Sequence, residues 1–315
     1  MDADCAAAGE LVTAIVCTRN RGASVVDTLT SILRSDHPRF EVVIVDQSTN
    51  DESERAVRAA CADARLRYIR SDTAGLGRAR NLGLSAATGE VCCFTDDDCT
   101  VNPGWLRGLA GVFAFDPKVA VAFCRVEAAP YDERAGFIPV YACAGRRVFT
   151  RVRDKSHARG IGAGIAVRRS AVLEMGGFDE MLGAGGVFPS CEDGDLAARA
   201  LLLGYHVAET DEAAVTHFGF RTWEQGRDLS RRDWVGIGAA YVKPLRCGRW
   251  DFLPVVAREV FSWALWPPVR SLLMLGKPAG LSRFRYFLQG ARLGWRTPID
   301  SRTFLYRPDS RDEQV

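Results

Sequence analysis

"EVCCFTDDDCTVNPGW", residues 90–105, carries a continuously apolar run straight into three aspartates and then into a turn. Such a run, without polar alternation, is what a strand covered on both faces requires. In extended chain Asp96 and Asp98 point to one face and Asp97 to the other, because side chains alternate. Two carboxylates about 7 Å apart repel by roughly 2 kcal/mol at the effective dielectric of protein sites. A divalent cation offsets that cost. The alternative is a solvated acidic turn, for which "VNPGW" supplies the chemistry.

Working outward, "LVTAIVC" (11–17), "EVVIVD" (41–46), "LRYIR" (66–70) and "VAVAFCRV" (119–126) are further short apolar or β-branched runs. Between them, 18–34, 51–64, 75–87 and 105–115 have helical length and apolar spacing. The first ~125 residues therefore predict alternating β and α elements and a mainly parallel sheet with helices on both faces. Ligands of such sheets bind beyond the C-terminal strand ends, where Asp46 and the Asp96–Asp98 cluster stand. Farther on, "AGIAVRRS" (163–170) predicts a strand, 191–203 a helix, and "YHVAE" and "AAVTHFGF" two more extended runs. From Trp223 the chain reads as basic, aromatic helices, and the tail "PDSRDEQV" (308–315) reads as disordered. There are no internal repeats.

With 315 residues and 47% hydrophobic content the chain can bury a sizeable core. A net charge of only +2 argues against a nucleic-acid partner. The charge is unevenly placed, since ten Lys or Arg lie between Lys243 and Arg296 against Asp251 and Glu259. Ten cysteines form no C-x-x-C pair, so they read as buried small hydrophobes in a reduced compartment rather than as zinc ligands. The acidic start "MDADCAAAGE" is unlike a secretory signal, which sets a cytoplasmic expectation. "VFSWALWPPVRSLLML" (260–275) is too short, and too interrupted by Pro267, Pro268 and Arg270, to span a membrane.

Several chemistries fall away on spacing. Gly276-Lys277 is followed by Pro278, so there is no P-loop. "GLGRARNLG" (75–83) has Arg80 where a dinucleotide fingerprint needs its third glycine. A calcium loop starting at Asp96 would need Gly and Glu where Val101 and Arg107 stand. No H-E-x-x-H or G-x-S-x-G occurs.

What remains is an ordered set: "VCTRNR" (16–21), "IVDQSTNDES" (44–53), "AGLGRARNLGLSAATGE" (74–90), "FTDDDC" (94–99), "GGFDE" (176–180) and "CEDGDLAARALLLGYHV" (191–207). In order and spacing this set, over roughly residues 10–218, resembles the family 2 inverting glycosyltransferases of the GT-A fold. The resemblance implies a Rossmann-like α/β sheet, a nucleotide-sugar donor carrying UDP, dTDP or GDP, a hydroxyl acceptor, and Mg²⁺ or Mn²⁺ at a D-x-D motif. It assigns Thr18, Arg19, Asn20, Asp46 and Arg80 to the donor, with Asp96 and Asp97 beside them. Asp98 would coordinate the metal directly, with Asp96 as its same-face partner. Gln47 and Ser48 depart from the family's usual acid and glycine, which leaves base recognition open. Asp193 would be the base that deprotonates the acceptor, with Glu192 as its neighbour. Against that, Ser190-x-x-Asp193 is nearly a capping box, and acids suit a helix N-terminus without catalytic duty. "GGFDE" resembles the family's acceptor-side loop, through Gly177, Phe178 and Asp179.

His217 in "AVTHFGF" reads either as a structural histidine or as a further ligand to the metal, and Trp105 either as acceptor-side or as core. Asp195 and Arg199, spaced i, i+4, read as an ordinary surface pair. The expected organisation is a catalytic domain over 1–220, with a donor half (10–126) and an acceptor half (127–220), followed by a helical extension over 221–315. The extension's helices either meet the inner face of a membrane, where a lipid-linked acceptor would wait, or pack as core or dimer contacts. A sugar nucleotidyltransferase is the rival activity, but its glycine-rich opening loop is missing from "CTRNRGAS". A non-catalytic sugar-binding or assembly relative would be expected to lose the D-x-D or the base.

Overall fold

A computed structural model describes residues 9–274 and 280–308. Residues 1–8, Gly276–Pro278 and all but the first residue of the tail expected to be disordered lie outside the described residues. The first half alternates β1 (Val12–Thr18), α1 (Val25–Leu33), β2 (Phe40–Asp46), α2 (Glu52–Ala60), β3 (Leu66–Arg70), α3 (Leu76–Ala86) and β4 (Val91–Asp96). A short β5 (Cys99–Val101), α4 (Trp105–Phe115) and β6 (Val119–Ala128) follow. Next come β7 (Gly136–Phe137), β8 (Arg147–Phe149), β9 (Ile165–Arg168), α5 (Arg169–Glu174), α6 (Glu192–Leu202), β10 (His206–His217) and β11 (Arg221–Thr222). The chain closes with α7 (Trp223–Arg246), α8 (Leu253–Val260), a π-helical turn (Phe261–Leu265), α9 (Trp266–Leu273) and α10 (Leu281–Arg296).

The main sheet runs in the order β3-β2-β1-β4-β9-β6-β10-β5, with β8 beside β10. β3, β2, β1 and β4 are mutually parallel, and β9 lies antiparallel between β4 and β6. The continuous apolar runs have the expected cause, for they are buried on both sides. Val12, Ala14 and Val16 of β1 pack with Leu29, Trp105 and Leu109, whereas Ile15 packs on the other face with Leu84 and Ala197. A third core joins Ala198 and Leu202 of α6 to Trp234, Ala239 and Phe287 of the C-terminal helices.

β1 has β2 on one side and β4 on the other, with Thr18 beside Asp46 and Cys17 beside Asp96. That reversal opens a crevice beyond the strand ends. The helix expected from residue 18 begins only at Val25, because Asn20 and Gly22 take φ of 55° and 58° and hold a loop at the crevice. The two extended runs near 206–217 are one strand, β10, irregular between Thr210 and Ala214. Its end pairs with β5, His217 opposite Cys99.

Candidate active site

A cleft of about 480 Å³ opens at that crevice, within the range of small-molecule sites. Its walls include Thr18, Arg19 and Arg21 after β1, Gln47 after β2, Asp96, Asp97 and Asp98 after β4, and Glu192 at the start of α6. His217 closes one side, and Arg232 and Asp233 of α7 form another.

The strand ends at Asp96, and a turn of Asp97 and Asp98 leads into β5. The three carboxylates still diverge. Asp97 accepts a hydrogen bond from Thr18 Oγ1 (2.8 Å) and pairs with Arg21 (3.2 Å). Burial pushes its carboxyl up to about 6, opposed by Arg21 and Thr18. Asp96 and Asp98 instead gather with Cys99 and His217, whose ligand atoms all lie within 4.8 Å of one another. Burial raises the Asp96 carboxyl and Arg80 opposes it. At Asp98 burial is outweighed by the hydrogen bond and charge of His217, so its carboxyl lies below the usual range.

This donor set fits a divalent cation. His217 Nδ1 lies 3.1 Å from the Pro139 carbonyl and Nε2 lies 3.3 Å from Asp98. Both ring nitrogens therefore face oxygens, an arrangement that a doubly protonated ring or a cation between Nε2 and Asp98 satisfies. A side chain on Gly219 would fill the cradle, since its Cβ would stand 2.4 Å from His217 Nε2 and 2.9 Å from Asp98. Burial pushes the Cys99 thiol up, so with no metal bound it stays protonated and the two carboxylates and the imidazole are the ready donors.

Behind the carboxylates, buried Arg80 donates to Glu192 (2.9 Å) and lies 3.7 Å from Asp96. It thus ties the aspartate cluster to α6. Burial raises the Glu192 carboxyl to about 7, Arg80 opposing and Asp193 reinforcing the shift. Asp193 is half-buried in the first turn of α6, accepts from the Gly194 N–H (2.6 Å), and is not among the residues lining the cleft. The capping box does not form. Ser190 Oγ donates to Asp233 (2.7 Å), and the N-cap is Cys191, a non-glycine residue held at φ 76°. Such backbone costs of order 1–3 kcal/mol and clusters at functional sites.

Other expected site residues lie elsewhere. Asp46 is fully buried, accepting from the Ser48 N–H (2.8 Å) and the Tyr68 hydroxyl, and Gln47 lines the cleft in its place. Asn20 accepts from the Thr49 N–H (2.9 Å), tying together the loops after β1 and β2. Trp105 is core, because the apolar face of α4 turns it under the sheet. Phe178 is core too, edge-on to Phe94. Gly177 has φ 79° and faces Asn81. Asp179 is 1% exposed and pairs with Lys243 (2.7 Å), so its carboxylate faces the interior rather than the cleft. Asp195 and Arg199 are likewise buried rather than a surface pair. Arg21, Asp233 and Gly219 were not expected at the site; Arg21 closes the "VCTRNR" motif and Gly219 is the glycine of "THFGF", while Asp233 carries no local signal.

The family model of "Glycosyl transferase family 2" matches residues 13–175, more than half of the chain. The chain is 30% identical over 236 residues to the pre-mycofactocin glycosyltransferase of Mycobacterium tuberculosis, a match covering 73% of this chain and 46% of that protein. It is 25% identical over 183 residues to the glucosyl-dolichyl phosphate glucuronosyltransferase of Haloferax volcanii, covering 56% and 58%. The chain thus spans about half the length of the curated relatives it matches. Among solved structures it is similar in fold to the mannosyltransferase PcManGT of Pyrobaculum calidifontis in complex with GDP-Man and Mn²⁺, with TM-score 0.58, 20% identity and 90% and 87% of the two chains covered. It is also similar to S. aureus TarS in complex with UDP-GlcNAc, with TM-score 0.59, 17% identity and 89% and 79% covered. Matched by the family model along more than half its length and folded as these glycosyltransferases are, the chain belongs to glycosyl transferase family 2 and has the GT-A fold.

Proposed function

We propose that the protein is a metal-dependent, inverting glycosyltransferase that moves a sugar from a nucleotide-diphospho-sugar to a hydroxyl acceptor. The observation that carries this is the gathering of Asp96, Asp98 and His217 around one small volume on the cleft wall. These residues would hold Mg²⁺ or Mn²⁺, and the cation, when bound, supplies a Lewis acid that neutralises charge growing on the departing diphosphate. Residues 10–126 form the donor half on this view, and 127–220 the acceptor half. The loop bearing Thr18, Arg19 and Arg21 would face the nucleoside diphosphate, whose base (UDP, dTDP or GDP) is read near Gln47. Arg80 fixes the distance between the donor site and α6 through Asp96 and Glu192.

Asp193 is the proposed base, since Glu192 is committed to Arg80 while, among the described residues, Asp193 accepts only from the Gly194 N–H. It would take the acceptor's proton as the hydroxyl oxygen attacks the anomeric carbon from the face opposite the leaving diphosphate, which inverts the configuration. Thermal melts with UDP, GDP or dTDP, with and without Mn²⁺, test donor binding: one nucleotide should stabilise the protein, and more strongly with metal. Asp98→Ala should remove the metal-dependent part. Asp193→Asn should keep it yet lower transfer by about 10²–10⁴-fold. Equal nucleotide shifts in Mn²⁺ and in chelator would overturn the metal role, and full turnover by Asp193→Asn the base.

A further inference from the structure

Away from the cleft, exposed large apolar side chains concentrate in the π-turn and α9, with Leu253 at the start of α8. Phe261, Leu265, Val269 and Leu272 recur at helical spacing and are 58%, 40%, 45% and 59% exposed. The surface is ordered by specific contacts. Arg159 lies 4.3 Å over the ring of Trp263, Arg283 donates to the Trp263 carbonyl (3.0 Å), and Phe261 stacks on Trp266 with ring centroids 6.1 Å apart. Large apolar side chains clustered in water mark interaction surfaces in monomeric proteins.

Charge identifies what covers it. The described residues from Leu253 to Arg296 hold six arginines and one acid, Glu259, which is buried and paired with Arg159 (2.7 Å). On α10, Arg285, Arg292 and Arg296 share an exposed face with Leu288 and Trp295. A two-fold contact with a second copy would set arginines against arginines. Anionic lipid headgroups complement them, and tryptophan beside arginine on an apolar face is the composition of helices that lie in a membrane interface. Among the described residues no helix is long and apolar enough to cross a membrane. We infer that the α8–α9 face, flanked by α10, rests on an anionic lipid surface. This holds whatever the protein transfers. The second half of α7 packs along α10 while its Arg232 and Asp233 line the cleft, so docking would fix the cleft's position above the lipid.

Co-sedimentation tests it with phosphatidylcholine vesicles lacking or containing phosphatidylglycerol. The protein should pellet with the anionic vesicles at low salt, far less with neutral ones, and less as salt rises. Arg285→Glu with Arg292→Glu should weaken binding by on the order of fivefold per arginine. Val269→Asp with Leu272→Asp should abolish it. Both variants should retain the nucleotide-induced melting shift, showing the fold intact. The unmodified protein gives a second readout: its tryptophan emission should shift to the blue on adding anionic vesicles. No pelleting and no shift at low salt would overturn the inference. So would binding unchanged in both variants, or a solution dimer that Leu272→Asp dissociates.

Discussion

Glu192 shows what single residues at this site are asked to tolerate. It is 7% exposed, and burial holds its carboxyl near 7 against a usual value of 4.5. A carboxyl raised on folding binds its proton more tightly in the folded state, so the contribution is fully present below about 4.5 and is lost as pH rises through about 7. Across that window the metal-free protein should lose stability through this group. Urea titrations from pH 4.5 to 7.5 should show the slope, and Glu192→Gln should flatten it while lowering stability overall by unpairing Arg80. Gly219 sets a steric limit instead. Gly219→Ala should weaken Mn²⁺ binding by at least tenfold, read as loss of the metal-dependent nucleotide shift, because the methyl group occupies the cradle. The Asp96–Asp98 cluster was legible in sequence because its three acids follow directly on an apolar run, which sets them where a buried strand surfaces. Gly219 was not, since its role depends on β10 meeting β5, a pairing no local pattern announces.

Among the elements, α6 and α7 are joined by charge sealed from water. Lys243 of α7 lies 2.7 Å from Asp179 and 2.6 Å from Asp195, and Arg199 pairs with Asp195 (2.9 Å) while donating to the carbonyls of Met175 and Gly177. All four charged groups are at most 2% exposed. Two anions and two cations balance, so removing one strands the rest. Lys243→Met should cost about 3–5 kcal/mol, measured as a lower urea midpoint at unchanged slope. Because α6 carries Glu192, the same variant should also lower transfer more than it alters nucleotide affinity. The i, i+4 spacing of Asp195 and Arg199 indicated a surface pair, as it does in an isolated helix. It says nothing of a lysine that arrives from α7 through tertiary packing, and "GGFDE" gave no sign, for the same reason, that Asp179 is paired with Lys243. The strands were better served. β1, β2 and β4 are buried on both sides, so their sequences are apolar or β-branched at nearly every position, and that signal is local.

At the scale of the whole molecule, the site draws on both ends of the chain's order. Thr18 and Asp98 come from the early strands, Glu192 from a middle helix, and His217 from β10, the last long strand to join the sheet. Local contacts form fastest, and pairings between distant segments wait on loop closure. The β1–β4 unit holds three of the site's acids yet lacks the imidazole until β10 has passed β6 and met β5. Competence should therefore appear late in refolding. After dilution from urea, far-UV circular dichroism should recover before Mn²⁺-dependent nucleotide binding does, and the lag should persist at every protein concentration. A newly made chain would therefore leave its acidic cluster without the imidazole until its last long strand was in place, so the cation site could not fill before the sheet was complete.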